Sequence, residues 1–390
     1  MTPSFSRLVA VVCGTLTLGA SQAVAGPDRD AGHAGQGSPT RVIFDTDMEA
    51  DIDDAMALAM LHALQDRGEA KLLAVTVSTD DPWSASYVDL VDTFYGRPCV
   101  PIGLVRRGVT REDQLKFAGA QITHYTKTIS QAAGPDGALV YPHKLLDGSK
   151  AVDATALLRK TLAEQADGSV VIVQVGFSTN LARLLDSPPD AASPLGGRDL
   201  VIRKVRLLSA MAGDFQPAVI DGKARPKGIP DWNDALDIPA ARRLFADWPT
   251  PIVASGLEIG LQMLIPSQRV ARDFSYVPRH PIADTYRSYV VSIHGGKTVL
   301  TQWPHDHATF DLTSVLYAVR PDAGYFGLSN PGKIVVRPDG GTDFVETADG
   351  AHRYLVVSES QKAKALEAMI ELTTEPPLRA PADQGCAAPK

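Results

Sequence analysis

Apolar residues along this chain come in short continuous runs separated by longer stretches with helical spacing. Val42-Ile43-Phe44 opens the pattern, and Ser169 to Val175 (Ser-Val-Val-Ile-Val-Gln-Val) repeats it most clearly. Runs of this kind, apolar on both faces, are the mark of strands in a covered parallel sheet. Lys71 to Val77, Val100 to Leu104, Lys204 to Leu208 and Pro251 to Ala254 are further strand candidates. Between them lie segments rich in helix formers: Ala55 to Leu64, Ser84 to Tyr95, Asp153 to Gln165, Leu181 to Leu185, Pro239 to Ala246 and Leu312 to Val319. Strand and helix therefore alternate. The expectation is an α/β fold, Rossmann-like, with a mostly parallel central sheet flanked by helices. Lys333 to Val336 and Arg353 to Val357 frame a small C-terminal antiparallel β-ribbon around Pro338-Asp339-Gly340-Gly341, and Glu359 to Leu372 forms a terminal amphipathic helix through Leu366, Met369 and Ile370.

The pattern also marks where the fold stops. Arg7 precedes an apolar stretch from Leu8 to Ala20, and Ala23-Val24-Ala25 supplies small residues for cleavage before Gly26, so residues 1–25 read as a signal peptide. Residues 26–40, mixing Gly, Pro, Asp and Ser without period, read as a flexible linker. The body is expected as a single domain with loop insertions over 41–375, followed by a Pro/Ala-rich tail at 376–390. These features predict an exported protein, periplasmic or extracellular, with no membrane attachment once the signal is removed. Export would permit a disulfide, and of the three cysteines Cys13 leaves with the signal while Cys99 and Cys386 remain.

Composition narrows the partners. The 390-residue chain has a formal net charge of -7, with 44% hydrophobic and 21% charged residues, all ordinary globular values. An acidic chain without basic runs lacks the footprint of a nucleic-acid binder.

Charge is concentrated in one place. Asp45, Asp47, Glu49, Asp51, Asp53 and Asp54 crowd the ten residues directly after the first strand. Like charges this close raise one another's pKa or push the loop open unless they are solvated or share a hard divalent cation. Asp53 and Asp54 also stand at a helix N-terminus, where the macrodipole favours them, so a capped helix with solvated acids is the plain alternative. Ligands of open α/β sheets bind beyond the carboxyl ends of the strands, which is where this loop lies.

Two families share this beginning. Asp45-Thr46-Asp47 after an apolar strand resembles the haloacid-dehalogenase-like phosphohydrolases, in which an Asp nucleophile works on a Mg2+ site; Glu49 to Asp54 is not their usual continuation. The longer run from Val42 to Leu58 resembles the N-terminal motif of the inosine/uridine-preferring nucleoside hydrolases, in a bacterial form with two extra residues before the Asp-Asp pair. Four more segments follow in the family's order: Ala74 to Ser78 with Asp80-Asp81, Val175-Gly176-Phe177-Ser178-Thr179-Asn180, Met211-Ala212-Gly213 with Asp231-Trp232-Asn233-Asp234, and Phe310-Asp311-Leu312-Thr313-Ser314.

The resemblance implies calcium-dependent hydrolysis of a ribonucleoside to ribose and free base, as in nucleoside catabolism. Calcium would be held by Asp47, Asp54, the main-chain carbonyl of Thr179 and Asp311. Asp47 would take the proton of the attacking water, and Asp53, Asp81, Asp231 and Asn233 would hydrogen-bond the ribose. Asp51, without a counterpart in the shorter motif, is assigned to support of the loop. The carboxylate-rich pocket suits the chemistry, because an N-riboside departs through an oxocarbenium-like transition state. The family often forms dimers or tetramers, although no exposed stripe in this sequence demands it.

Two departures bear on function. Phe310 stands where many members carry a His that helps protonate the leaving base, and His305 or His307 is close enough in sequence to replace it. Between Ala212 and Asp231 the family's Gly-Asn-x-Thr-Pro element is replaced by Asp221 to Pro226. Three readings remain open at this stage: the nucleoside hydrolase, the phosphohydrolase with Asp45 as nucleophile, and a noncatalytic calcium-dependent ribose-binding protein.

Overall fold

The computed structural model describes residues 38–49, 51–220, 222–293 and 299–378, with side chains left out at 291–301. The signal, most of the linker, Cys13 and Cys386 lie outside these residues, as does the tail from 379 onward. Cys99 is disulfide-bonded.

Strand β1 (Thr40–Thr46) runs at the centre of an eleven-stranded sheet. On one side it pairs in parallel with β2 (Ala70–Thr79), then β3 (Ile102–Val109) and the short strand Val152–Asp153. On the other it pairs in parallel with Val170–Gln174, followed by Val205–Met211, Ile252–Ser255 and His352–Val356. The chain builds outward through β2 and β3, then returns across β1 to Val170–Gln174. The order therefore reverses beside β1, and a crevice opens beyond the carboxyl ends of β1 and Val170–Gln174.

Alternation along these strands divides the apolar side chains into two cores. Val42 and Phe44, with Val171 and Val173, face helix α1 (Asp53–Asp66), helix α2 (Pro82–Phe94) and the helices Phe310–Val319 and Glu359–Thr374. Ile43, Val170 and Ile172 face the opposite layer with Leu158, Leu181, Leu200 and Leu244. Each strand thus buries both faces, as the continuous apolar runs require. Helix α1 is buried over nearly its whole length, from Asp53 to Leu64. Truncating Leu58 to Ala there would cost about 2–5 kcal/mol. Among the described residues no helix is long and apolar enough to cross a membrane.

The C-terminal ribbon is paired differently from the expectation. Gly332–Val336 forms its antiparallel hairpin with Thr342–Glu346, joined through a turn in which Gly340 takes φ 87°. The segment around Arg353 instead joins the main sheet, parallel to Ile252–Ser255, and its strand pairing with the ribbon is confined to Gly332 with His352, beside which the Ile334 amide donates to His352 Nδ1 at 3.0 Å. A short connection favours the nearer partner, and Thr342 to Glu346, with three of its five positions polar, is hidden from an apolar pattern.

Candidate active site

The loop after β1 is tied down by hydroxyls rather than by regular structure. The Thr46 hydroxyl donates to the Asp54 carboxylate and accepts from the Met48 amide at 3.1 Å. From the end of β2, Thr79 Oγ1 donates to the Asp47 carbonyl at 2.8 Å, and Ser78 Oγ donates to the Thr46 carbonyl at 3.1 Å while accepting from the Phe177 amide at 3.0 Å. Gly176 is required by this close approach, because a Cβ there would lie 2.3 Å from the Asp47 amide nitrogen. Glu49 is held at φ 149°, a conformation that L-residues avoid, by its buried carboxylate, which Arg111 and Thr126 grip.

Within the crevice this loop forms one wall of a cavity of about 420 Å³. Its described lining combines the carboxylates of Asp47, Asp51, Asp53, Asp54 and Asp311 with the apolar side chains of Trp232, Phe310, Met211, Leu257 and Ile122. Carboxylate oxygens of Asp53, Asp54 and Asp311 lie within 4.8 Å of one another. The Asp311 amide donates to Asp53 at 3.1 Å, which fixes the start of helix Phe310–Val319 against the start of α1. Burial, and then the charge of Asp53, pushes Asp47 well above the ordinary carboxylate range. Burial followed by Asp47 does the same to Asp54, and burial followed by Asp53 to Asp311. Asp53 is raised to about 7 by burial and then by Asp51. Among the described residues no Lys or Arg pairs with any of these four acids, whereas buried Glu49 and Asp214 are matched by Arg111 and Arg225. Oxygen donors, buried, crowded and without a countercharge, fit a hard divalent cation.

Two buried elements carry backbone oxygen and amide groups to the same cavity. Val175 lines it, and the Val175 carbonyl accepts from Asn233 Nδ2 at 2.9 Å. The same amide nitrogen donates to the Met211 carbonyl at 3.1 Å, so the Asn233 side chain bridges the ends of two neighbouring strands.

Several residues expected at the site lie elsewhere. Thr179 is the first residue of helix Thr179–Asp186, its hydroxyl given to Asp237, and it does not line the cavity. Val175 is the residue of this segment that lines the cavity. Asp81 caps α2, accepting from the Trp83 amide at 3.1 Å and from His124 Nε2 at 2.6 Å. Asp231 caps the helix Trp232–Leu236 and accepts from the amides of Gly213, Asn233 and Asp234 at 2.9, 3.0 and 3.1 Å. Neither acid is among the cavity's lining residues, whereas Asn233 is. His307 does not line the cavity but adjoins its acids, with Nε2 2.7 Å from Asp51 and a ring nitrogen within 4.8 Å of carboxylate oxygens of Asp51 and Asp53. Burial alone would lower its pKa, but the Asp51 carboxylate outweighs burial and raises it. His305 stacks on Tyr286 with ring centroids 4.8 Å apart and likewise does not line the cavity. Glu49, Asp81 and His124 form a second group with metal-ligand spacing, but Arg111 and Thr126 already satisfy its glutamate.

Comparison with known proteins agrees with this architecture. The family profile of inosine-uridine preferring nucleoside hydrolases matches residues 42–376, the whole of the folded body. The chain belongs to that family. The nucleoside hydrolase family groups N-glycosyl hydrolases that act on ribonucleosides, and the parallel sheet with its acidic crevice is their fold. A plant nucleoside hydrolase, PpNRh1, is 20% identical with a TM-score of 0.58, covering 87% of this chain and 100% of its own. The inosine-uridine preferring nucleoside hydrolase of Bacillus anthracis is 17% identical with a TM-score of 0.57, covering 85% of this chain and 99% of its own. The type III effector protein XopQ, in a structure complexed with adenosine diphosphate ribose, is 16% identical with a TM-score of 0.53, covering 86% of this chain and 93% of its own. No curated protein sequence matches this chain.

Some of the lining was open to sequence reasoning. Val175, Met211 and Leu257 each stand at or just past the end of a parallel strand, where a ligand is expected. Tyr289 and the Ala118 to Ile122 wall come from insertions whose sequence carries no such signal.

Proposed function

We propose that this nucleoside hydrolase releases ribose from ribonucleosides with calcium as its cofactor and Asp47 as the general base. The observation that carries the reading is the group Asp47, Asp53, Asp54 and Asp311, buried with no Lys or Arg partner among the described residues, in a cavity whose remaining lining is mostly apolar. Asp47, Asp54 and Asp311 would hold the ion, with the main-chain carbonyl of Thr179 as the backbone oxygen that the family resemblance implies. Calcium, when bound, supplies polarisation of the attacking water and of the ribose hydroxyls.

The chain's own residues do the rest. Asp47, within the cavity and raised by burial, accepts the water's proton as the C1′–N bond lengthens. Asp53 binds a ribose hydroxyl. Because Asn233 commits its amide nitrogen to two carbonyls, a second hydroxyl meets its amide oxygen. The remaining carboxylates stabilise positive charge as it develops on the sugar. Trp232 and Phe310 exclude water around the base.

The phosphohydrolase reading has little support. Asp45, its nucleophile, is fully buried, with Oδ1 accepting from Thr76 at 2.5 Å and Asn180 at 2.8 Å, and it does not line the cavity. We also propose that the enzyme works outside the cytoplasm, on the strength of the sequence Arg7 to Ala25.

The test is ribose release from inosine, uridine and p-nitrophenyl riboside, with calcium and with chelator. Activity that calcium restores after chelation supports the proposal. Binding of nucleosides without any ribose release would instead select a noncatalytic binding protein.

A further inference from the structure

We propose that the preferred substrates are ribosides with a cationic N-heteroaromatic aglycone, of which a pyridinium riboside is the simplest; this inference rests on the nucleoside-hydrolase reading above. Three observations lead to it. Among the described residues, every charged side chain lining the cavity is acidic: Asp47, Asp51, Asp53, Asp54 and Asp311. A divalent ion would offset only two of those five charges, so the cavity stays attractive to a cation. Asp51 belongs to the extended loop and faces the cavity beside Tyr289.

Apart from the acids the lining is mostly ring and apolar faces, with the buried Trp232 indole N–H left without a partner among the described residues. Trp232 is steadied by Phe117, edge-on at 5.5 Å between centroids, and Phe310 lies in the same wall. Indole and phenyl faces attract a flat cation through their quadrupoles, most strongly where water is scarce.

The leaving group decides between substrates. A neutral purine or pyrimidine must gain a proton, or a strong hydrogen bond, as its bond to C1′ breaks. Among the described lining residues there is no His, Lys, Arg, Glu or Cys to give one, the phenol of Tyr289 has its hydroxyl engaged with Asp51, and Phe310 precedes Asp311 where a proton donor would be placed. His307 Nε2 is turned to Asp51, and His305 is stacked behind on Tyr286. A cationic aglycone needs no proton. The C1′–N bond breaks, its electron pair passes to the ring nitrogen and cancels the positive charge, and water adds its hydroxyl to C1′. The water's other proton leaves through Asp47, so the products are ribose, a neutral heteroaromatic ring and one proton.

The full chain should be assayed with calcium for ribose release from nicotinamide riboside, inosine, uridine and p-nitrophenyl riboside. The expected result is a kcat/KM for the pyridinium substrate at least about 100-fold above inosine and uridine, the lower end of what a general acid is worth. Inosine or uridine turned over as well as the pyridinium riboside would overturn this inference and leave the proposed function standing. Hydrolysis of p-nitrophenyl riboside alone would do the same, since its activated aglycone reports on the sugar machinery. No release from any of the four would remove both. Asp51→Asn should lower kcat/KM for nicotinamide riboside several-fold more than for p-nitrophenyl riboside, and equal losses would count against the charge argument.

Discussion

Stripping the divalent ion from this enzyme should make its stability depend on pH and make rebinding of calcium release protons. Oxygens of Asp53, Asp54 and Asp311 approach within 4.8 Å, where two unit charges repel by about 3.5 kcal/mol at an effective dielectric near 20. Three such pairs cannot all stay ionised in a marginally stable fold, so the ion-free protein takes up protons instead. For Asp53 the rise from 3.8 to about 7 fixes the window. Acids whose pKa is raised by folding hold protons that the unfolded chain releases, so ion-free stability is greatest at low pH. It should decline as pH climbs from about 4 toward 7 and level off above. Calcium replaces those protons and should flatten the profile, adding about 2.7 kcal/mol at a concentration a hundred times its Kd. The assays are thermal unfolding from pH 5 to 8 with calcium and with chelator, and calorimetric titration at pH 6.5 in buffers of different ionisation enthalpy. Identical pH profiles with and without calcium, together with no proton release on binding, would refute the reasoning.

Other expectations follow from the same geometry. Asp47→Asn should lower kcat/KM for ribose release by about 10²–10⁴-fold, the range of a general base, and near-wild-type turnover would remove that assignment. Gly176→Ala places a Cβ 2.3 Å from the Asp47 amide nitrogen and should destabilise the fold by about 1–3 kcal/mol in denaturant titrations, with loss of activity at 25 °C. Phe310→His, which returns a proton donor to the aglycone wall, should accelerate inosine hydrolysis about tenfold or more. Arg111→Ala strands the buried Glu49 carboxylate and should cost about 3–5 kcal/mol in thermal or chemical unfolding.

By itself the sequence determined the layered α/β architecture and the place of the chemistry. Continuous apolar runs such as Val170 to Val173 have no stable home except a sheet covered on both faces, and six acids after the first strand must face either water or a cation. Asp47, Asp53, Asp54, Asp311 and Asn233 were legible for that reason, because each is a polar group set at the end of an apolar element. What only the tertiary structure decided is which neighbouring polar groups are spent on the fold. Asp81 and Asp231 carry the same carboxylate as their counterparts in the cavity, yet each satisfies the free amides of a helix N-terminus, a demand set by backbone geometry. Val175 lines the cavity while Thr179 opens a helix with its hydroxyl on Asp237, a placement set by where the strand ends and the helix begins. His305 and His307 stand near Phe310 in sequence, but the insertion that carries them packs their rings on Tyr286 and directs His307 to Asp51. Proximity along the chain could not reveal this, because the direction of a side chain in an irregular loop is set by what that loop packs against.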